Sequence, residues 1–264
     1  VLGARSKTPQ KIRGLILNKI VSNSVLPAIR ENLELSTDDG QTLVGEIAWP
    51  ENKNPAATLV LVHPLPTHGG SSDSHVYRKI SWRLPALSNF AILRFNTRGT
   101  TSSLGTSSGD FDSSNKEGLD LKAAVLKAKE LTGQEPWLVG WSFGTDVILR
   151  NAIDLNISGV ILLSPPLRFT KDDELARWSD FTKPIWALVP EFDDFLTPDQ
   201  AKLRFSSVPN LRIVNAIGAK HLWIGESQVR FVLNHIVKII TGNENPLPEE
   251  FSGPMTRHND LNRD

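Results

Sequence analysis

Six short apolar runs punctuate the middle of the chain: Ala57–His63 (ATLVLVH), Phe90–Phe95 (FAILRF), Trp137–Val139, Val160–Leu163, Ile185–Val189 and Leu211–Asn215. Continuous apolar runs of this length suit strands covered on both faces. Longer stretches with helical spacing of apolar and polar positions fall between them: Ser74–Leu87, Lys116–Leu131, Phe143–Ile153, Pro198–Ser206 and Glu226–Ile240. In the second of these, Leu119, Ala123, Leu126 and Leu131 keep a roughly helical interval. Ahead of the alternation, Leu33–Ser36 and Thr42–Trp49 flank the turn Asp38-Asp39-Gly40 and read as an antiparallel hairpin. The pattern predicts one α/β domain over residues 31–241, with a mostly parallel eight-stranded sheet and helices on both faces. It shows no internal repeat and no linker inside that span.

In such sheets, ligands bind beyond the carboxyl ends of the strands. The residues that follow each apolar run are therefore the candidates for chemistry. Gly140-Trp141-Ser142-Phe143-Gly144 stands between the run PWLV and the helical pattern TDVILRNAI. That is the strand–turn–helix setting of a nucleophile elbow, in which small residues two positions either side of the serine let strand and helix approach. A second G-x-S-x-G, Gly105 to Gly109, centres on Ser107 inside the polar loop GTTSSLGTSSGDFDSSN. It lacks that setting and reads as a loop serine.

A serine hydroxyl needs a base, usually a histidine oriented by a carboxylate. On this architecture the chain order is serine, acid, histidine. Of the three downstream histidines, His258 lies in a polar tail and His235 inside a helical pattern. His221, in AIGAKHLWIGE between the last strand and the last helix, is the predicted base. The predicted strand from Ile185 runs into PEFDDFLTP, which offers Glu191, Asp193 and Asp194. Counting along the strand favours Asp193, with Asp194 and then Glu191 as alternatives. Acyl transfer also needs oxyanion donors. The amide after the nucleophile, that of Phe143, is one. In the loop His63-Pro64-Leu65-Pro66 the prolines have no N–H, which leaves the amide of Leu65 as the second. The spacing of His63, His68 and His75 matches no metal signature.

These residues resemble the α/β-hydrolase fold superfamily, and more narrowly a group of small bacterial serine α/β-hydrolases. The group carries H-P-x-P-x-x-G-G, here His63 to Gly70; R-F-N-x-R-G, here Arg94 to Gly99; and G-x-S-F-G, here Gly140 to Gly144. The resemblance covers about residues 30–240 and implies a serine triad without implying a substrate; with the residues above, that triad is Ser142, His221 and Asp193, with Asp194 as the alternative acid. The chain departs from the group in two places. Leu65 stands where a second histidine is frequent, and Thr100 to Ser103 replace a glycine-rich G-x-G-x-S. Many relatives insert a cap between the sixth and seventh strands. Here only Ser164 to Lys183 lies there, room for about one short helix, so an open site is expected. Leu65, Trp141, Phe143, Phe195, Leu222 and Trp223 are the candidate lining residues. The expected activity is cleavage of a carboxylic ester or a related small acyl substrate. A thioesterase, a peptidase or a non-catalytic binding protein on the same fold are the alternatives.

Composition narrows the partners. Lys plus Arg and Asp plus Glu each number 29, giving zero formal net charge and no electrostatic pull towards nucleic acid. There are no cysteines, which removes disulfides, thiolate catalysis and Cys-ligated metal. No cofactor is expected. No apolar run approaches the roughly 18 residues a membrane span needs, and Leu15-Ile16-Leu17 is too short for a signal-peptide core, so a cytoplasmic location is expected. Residues 1–30 form a basic arm with Arg5, Lys7, Lys11, Arg13 and Lys19, expected to pack on the domain or stay mobile, with contact to an anionic membrane as the rarer outcome. Residues 242–264, rich in Pro and Asn, read as a disordered tail.

Overall fold

The structure is a computed structural model and describes residues 17–258. Eight strands form the central sheet: β1 (Ile29–Ser36), β2 (Thr42–Trp49), β3 (Ala57–Val62), β4 (Phe90–Phe95), β5 (Trp137–Trp141), β6 (Gly159–Leu163), β7 (Ile185–Phe192) and β8 (Leu211–Lys220). Across the sheet their order is β8-β7-β6-β5-β3-β4-β2-β1. The strands from β8 to β4 pair in parallel, and β2 joins β4 and β1 antiparallel. The helices are α1 (His75–Ser88), α2 (Glu117–Thr132), α3 (Phe143–Asn151), α4 (Asp172–Ala176), α5 (Pro198–Arg204) and α6 (Glu226–Thr241). The predicted single α/β domain is the architecture observed.

The period of a strand explains the layers. Successive side chains point to opposite faces, and in β3 Leu59 and Leu61 pack with α1 and α6, whereas Val60 and Val62 pack with α2 and α3. An apolar residue at every position thus serves two cores. Edge strands break this rule, and there the strand ends run past the sequence expectation. β1 begins at Ile29, four residues before its apolar pattern, because Ile29 to Asn32 pair with β2 on a half-solvated edge where Arg30, Glu31 and Asn32 can be polar. β8 continues to Lys220 through a bulge opposite Glu191, whose Oε2 accepts the Gly218 amide at 2.7 Å. Between β6 and β7 the one helix is the five-residue α4, and there is no cap domain.

Both ends of the described chain lie closer to the domain than their composition suggests. Asn18–Lys19 pairs antiparallel with Glu250–Phe251, and Ser24–Val25 with Thr256–Arg257. The stretch after Thr241, expected to be disordered, is therefore placed on the domain as far as His258, whose ring lies 5.0 Å from that of Trp82. Leu247 is buried and its amide donates to Asn234 of α6. The pairing is between backbones, which a polar composition does not prevent. Of the basic arm, Arg5, Lys7, Lys11 and Arg13 lie outside the described residues.

The loops at the carboxyl edge of the sheet are fixed by buried polar side chains. Arg94 on β4 donates to Glu46 on β2 at 3.1 Å and to Asp73 at 2.7 Å, and Asn96 accepts the Ser72 amide at 3.1 Å. Arg98 is clamped by Asp120 of α2 at 2.7 Å and by Asp39 of the first hairpin at 2.9 Å. Buried ions are tolerated only when paired in this way. R-F-N-x-R-G is thus the fastening of β4 to its neighbours.

Candidate active site

β5 ends at Trp141, and α3 begins at Phe143. One residue, Ser142, makes the whole reversal, with φ 51° and ψ −119°. Such a conformation in a residue with a side chain costs on the order of 1–3 kcal/mol and persists only where the surroundings impose it. They do so here by close approach. A Cβ on Gly144 would overlap the carbonyl oxygen of Val62 at the end of β3, and one on Gly140 would sit 2.7 Å from the carbonyl oxygen of Gly144. Helix and sheet are in contact at both glycines, so the chain can turn only at Ser142.

The structure brings Ser142, His221 and Asp193 into one chain of hydrogen bonds. His221 Nε2 is 2.9 Å from Ser142 Oγ, and His221 Nδ1 is 2.9 Å from Asp193 Oδ2 and 3.1 Å from Oδ1. His221 and Asp193 are 6% and 8% exposed, dry enough to strengthen both contacts. Asp193 Oδ1 also accepts the Phe195 amide at 2.9 Å, which fixes the carboxylate where β7 ends. A carboxylate that accepts from Nδ1 leaves Nε2 free to accept from the serine hydroxyl. The arrangement can deprotonate Ser142 without breaking a contact. The other acids lie elsewhere: Asp194 is exposed at the rim of the cleft, and Glu191 is engaged by the β8 bulge.

Among the described residues, neither the Phe143 amide nor the Leu65 amide donates a hydrogen bond within the protein. The Phe143 amide opens the N-terminus of α3, where the helix dipole adds positive potential. Leu65 sits in a rigid loop whose carbonyl accepts from the amides of His68 at 3.1 Å and Gly70 at 3.0 Å. Fully buried His63 secures the start of that loop. Its Nδ1 is 2.7 Å from the carbonyl of Pro64, and its Nε2 accepts the Thr97 amide at 3.0 Å. Both ring nitrogens are thus occupied, and the H-P-x-P loop is tied to R-F-N-x-R-G through Thr97.

A cleft of about 550 Å³ opens above Ser142. Leu65, Trp141, Phe195 and Leu222 line it as expected from the sequence. Phe143 and Trp223 do not. The Phe143 ring turns into the core between Phe111 and Phe169, and Trp223 is fully buried against α6. His68, His75, Arg168 and Asp194 also line the cleft. No sequence motif marks Arg168, which reaches the cleft because the adjoining Phe169 and Thr170 amides are held by Asp146 of α3, at 3.2 and 2.9 Å. Ser107 does not line this cleft. Its buried hydroxyl donates to the carbonyl of Asn96 at 2.8 Å and accepts the Val44 amide at 3.0 Å. His235 bonds its own helix at the carbonyl of Phe231.

A family model described as the alpha/beta hydrolase fold matches residues 58–212. An alpha-beta serine hydrolase homologue from Coxiella burnetii superposes with TM-score 0.66 at 23% identity, over 79% of this chain and 96% of that one. A serine hydrolase without a lid from Xanthomonas campestris superposes with TM-score 0.63 at 27% identity, over 81% and 96%. An esterase from Pyrococcus furiosus gives TM-score 0.65 at 18% identity, over 81% and 94%. No curated protein matches the chain in sequence.

Burial pushes the His63 imidazole down to about 4, against the pull of the Pro64 carbonyl. In the unfolded chain a histidine titrates near ~6.5. The folded state therefore binds fewer protons, and the stability tied to neutral His63 is whole above the unfolded value. It is lost as pH falls towards about 4. Urea unfolding between pH 7 and pH 4 should show wild type losing stability more steeply than His63→Gln, by up to ~1.4 kcal/mol per pH unit. Parallel pH dependences would remove His63 from that role.

Proposed function

The chain belongs to the α/β-hydrolase fold family, and from that premise we propose that it is a serine hydrolase that cleaves a carboxylic ester or a related small acyl substrate. The observation that carries this reading is the unbroken chain Asp193–His221–Ser142 at the floor of an open cleft. In the proposed reaction Ser142 Oγ attacks the substrate carbonyl while its proton passes to His221 Nε2. Asp193 holds the other ring nitrogen and stabilises the imidazolium. The tetrahedral oxyanion takes the unused amides of Leu65 and Phe143. The intermediate collapses to an acyl-Ser142, with the proton on His221 passing to the departing alcohol. Water, deprotonated by the same imidazole, then attacks the acyl group, and the acid leaves as Ser142 recovers its proton.

The cleft suits such a substrate. Its walls are apolar at Leu65, Trp141, Phe195 and Leu222, and no cap restricts the approach. Assignment of the acid to Asp193 is supported by its two contacts to His221 Nδ1, which Asp194 lacks.

Hydrolysis of p-nitrophenyl esters from acetate to octanoate tests the reading. Ser142→Ala and Asp193→Asn should each lower kcat/KM by on the order of 10³-fold or more, and Asp194→Asn by less than about threefold. Equal losses for Asp193→Asn and Asp194→Asn would contradict the assignment. The second oxyanion donor has its own test. Leu65 has φ −55°, which proline adopts readily, so Leu65→Pro removes the N–H with little change of backbone. It should lower kcat by about 10²-fold or more, and a wild-type kcat would exclude that amide.

A further inference from the structure

Three side chains outside the Asp193–His221–Ser142 chain hold the two consecutive carbonyls of His221 and Leu222. Trp141 Nε1 donates to the carbonyl of His221 at 3.2 Å, and Ser164 Oγ donates to the same oxygen at 3.1 Å. His75, the first residue of α1, reaches the next carbonyl: its Nε2 is 2.8 Å from the oxygen of Leu222. A carbonyl only accepts, so the contact places the His75 proton on Nε2. The His75 ring also meets Trp141 edge to face, with centroids 5.5 Å apart. The two donors therefore brace each other, Trp141 on the His221–Leu222 peptide and His75 on the Leu222–Trp223 peptide that follows it.

Apolar contact at this point comes from the Phe195 ring, 4.7 Å from that of His221, and from Trp223. Leu222 is 52% exposed and Ile224 is 73% exposed, and only Trp223 between them is buried. Trp223 itself has φ 53° and is fully buried, and its amide donates to the Lys220 carbonyl at 2.9 Å, which closes the turn behind His221. The imidazole it carries has little freedom to spare. With partners at 2.9 Å on both ring nitrogens, a shift of about half an ångström would stretch one contact past the ordinary hydrogen-bond range.

We infer that His75 is a positioning residue for the base, fixing His221 between Asp193 and Ser142 through the Leu222 carbonyl and the Trp141 ring. The inference rests on the reading of His221 as the base. Burial, with Lys79 and Arg78 nearby, holds His75 below the ordinary histidine range, so the neutral ring acts as the donor. His75 is also on the cleft wall, yet the bond to Leu222 occupies its Nε2 and commits that nitrogen to the protein.

Two substitutions separate the donor from the ring. His75→Phe keeps the aromatic contact with Trp141 and loses the N–H. His75→Gln carries an amide N–H to about the same place and loses the ring. Each is compared with wild type by kcat and KM on p-nitrophenyl acetate and by the low-field proton resonance of His221 Nδ1–H, assigned by its absence in His221→Gln. His75→Phe should lower kcat about tenfold, the scale of one lost hydrogen bond, with little change in KM and with the resonance shifted or broadened. His75→Gln should recover most of both. A wild-type kcat and resonance in His75→Phe, or His75→Gln no better than His75→Phe, would overturn the inference alone. Wild type that shows neither turnover nor the resonance would overturn the hydrolase reading and the inference together.

Discussion

The fold turns on a single reversal of the chain, made by one residue between a central strand and the helix that follows. Ser142 can occupy its left-handed, strained conformation because Gly140 and Gly144 let α3 press onto β5 and β3 with no side chain between them. The contact fixes three things together. It aims the Ser142 side chain out of the sheet's carboxyl edge, it leaves the Phe143 amide at a helix N-terminus, and it sets the floor of the cleft. A larger residue at either glycine would separate strand from helix and undo all three.

The elbow supplies only one of the groups that meet there. The others arrive on loops from β3, β7 and β8, and loops are the parts of an α/β domain least constrained by packing. Buried polar contacts compensate. Fully buried His63 ties the loop after β3 to the end of β4, and Arg94 and Asn96 tie its far end to the same strand. The Asp193 loop is closed by its own carboxylate on the Phe195 amide. The His221 loop hangs from Trp141, Ser164 and His75. Each loop is thus held by hydrogen bonds that an apolar side chain could not replace, which gives a physical reason for polar residues to recur in the motifs at these positions.

Much of this was legible in the sequence. The strands β2 and β4 coincide with their apolar patterns, and Ser142 and His221, with Asp193 favoured over Asp194 and Glu191, stand out because each follows a strand end in a fixed chain order. What the pattern could not give is side-chain direction. Phe143 and Trp223 are apolar neighbours of Ser142 and His221, yet the first turns into the core at the start of a helix and the second is buried by a left-handed backbone. His75 and Arg168 were missed as cleft residues for the converse reason: only the packing of α1 and the Asp146 contacts bring them there. The stretch after Thr241 was misread because strand pairing with residues 18–25 draws on backbone groups that composition does not register.

The most direct test of the central claim is the intact mass of the protein after exposure to a fluorophosphonate, for wild type and for Ser142→Ala. An activated Ser142 predicts a single adduct on wild type and none on the variant. A wild type that takes no adduct, or an adduct that persists in Ser142→Ala, would contradict the account.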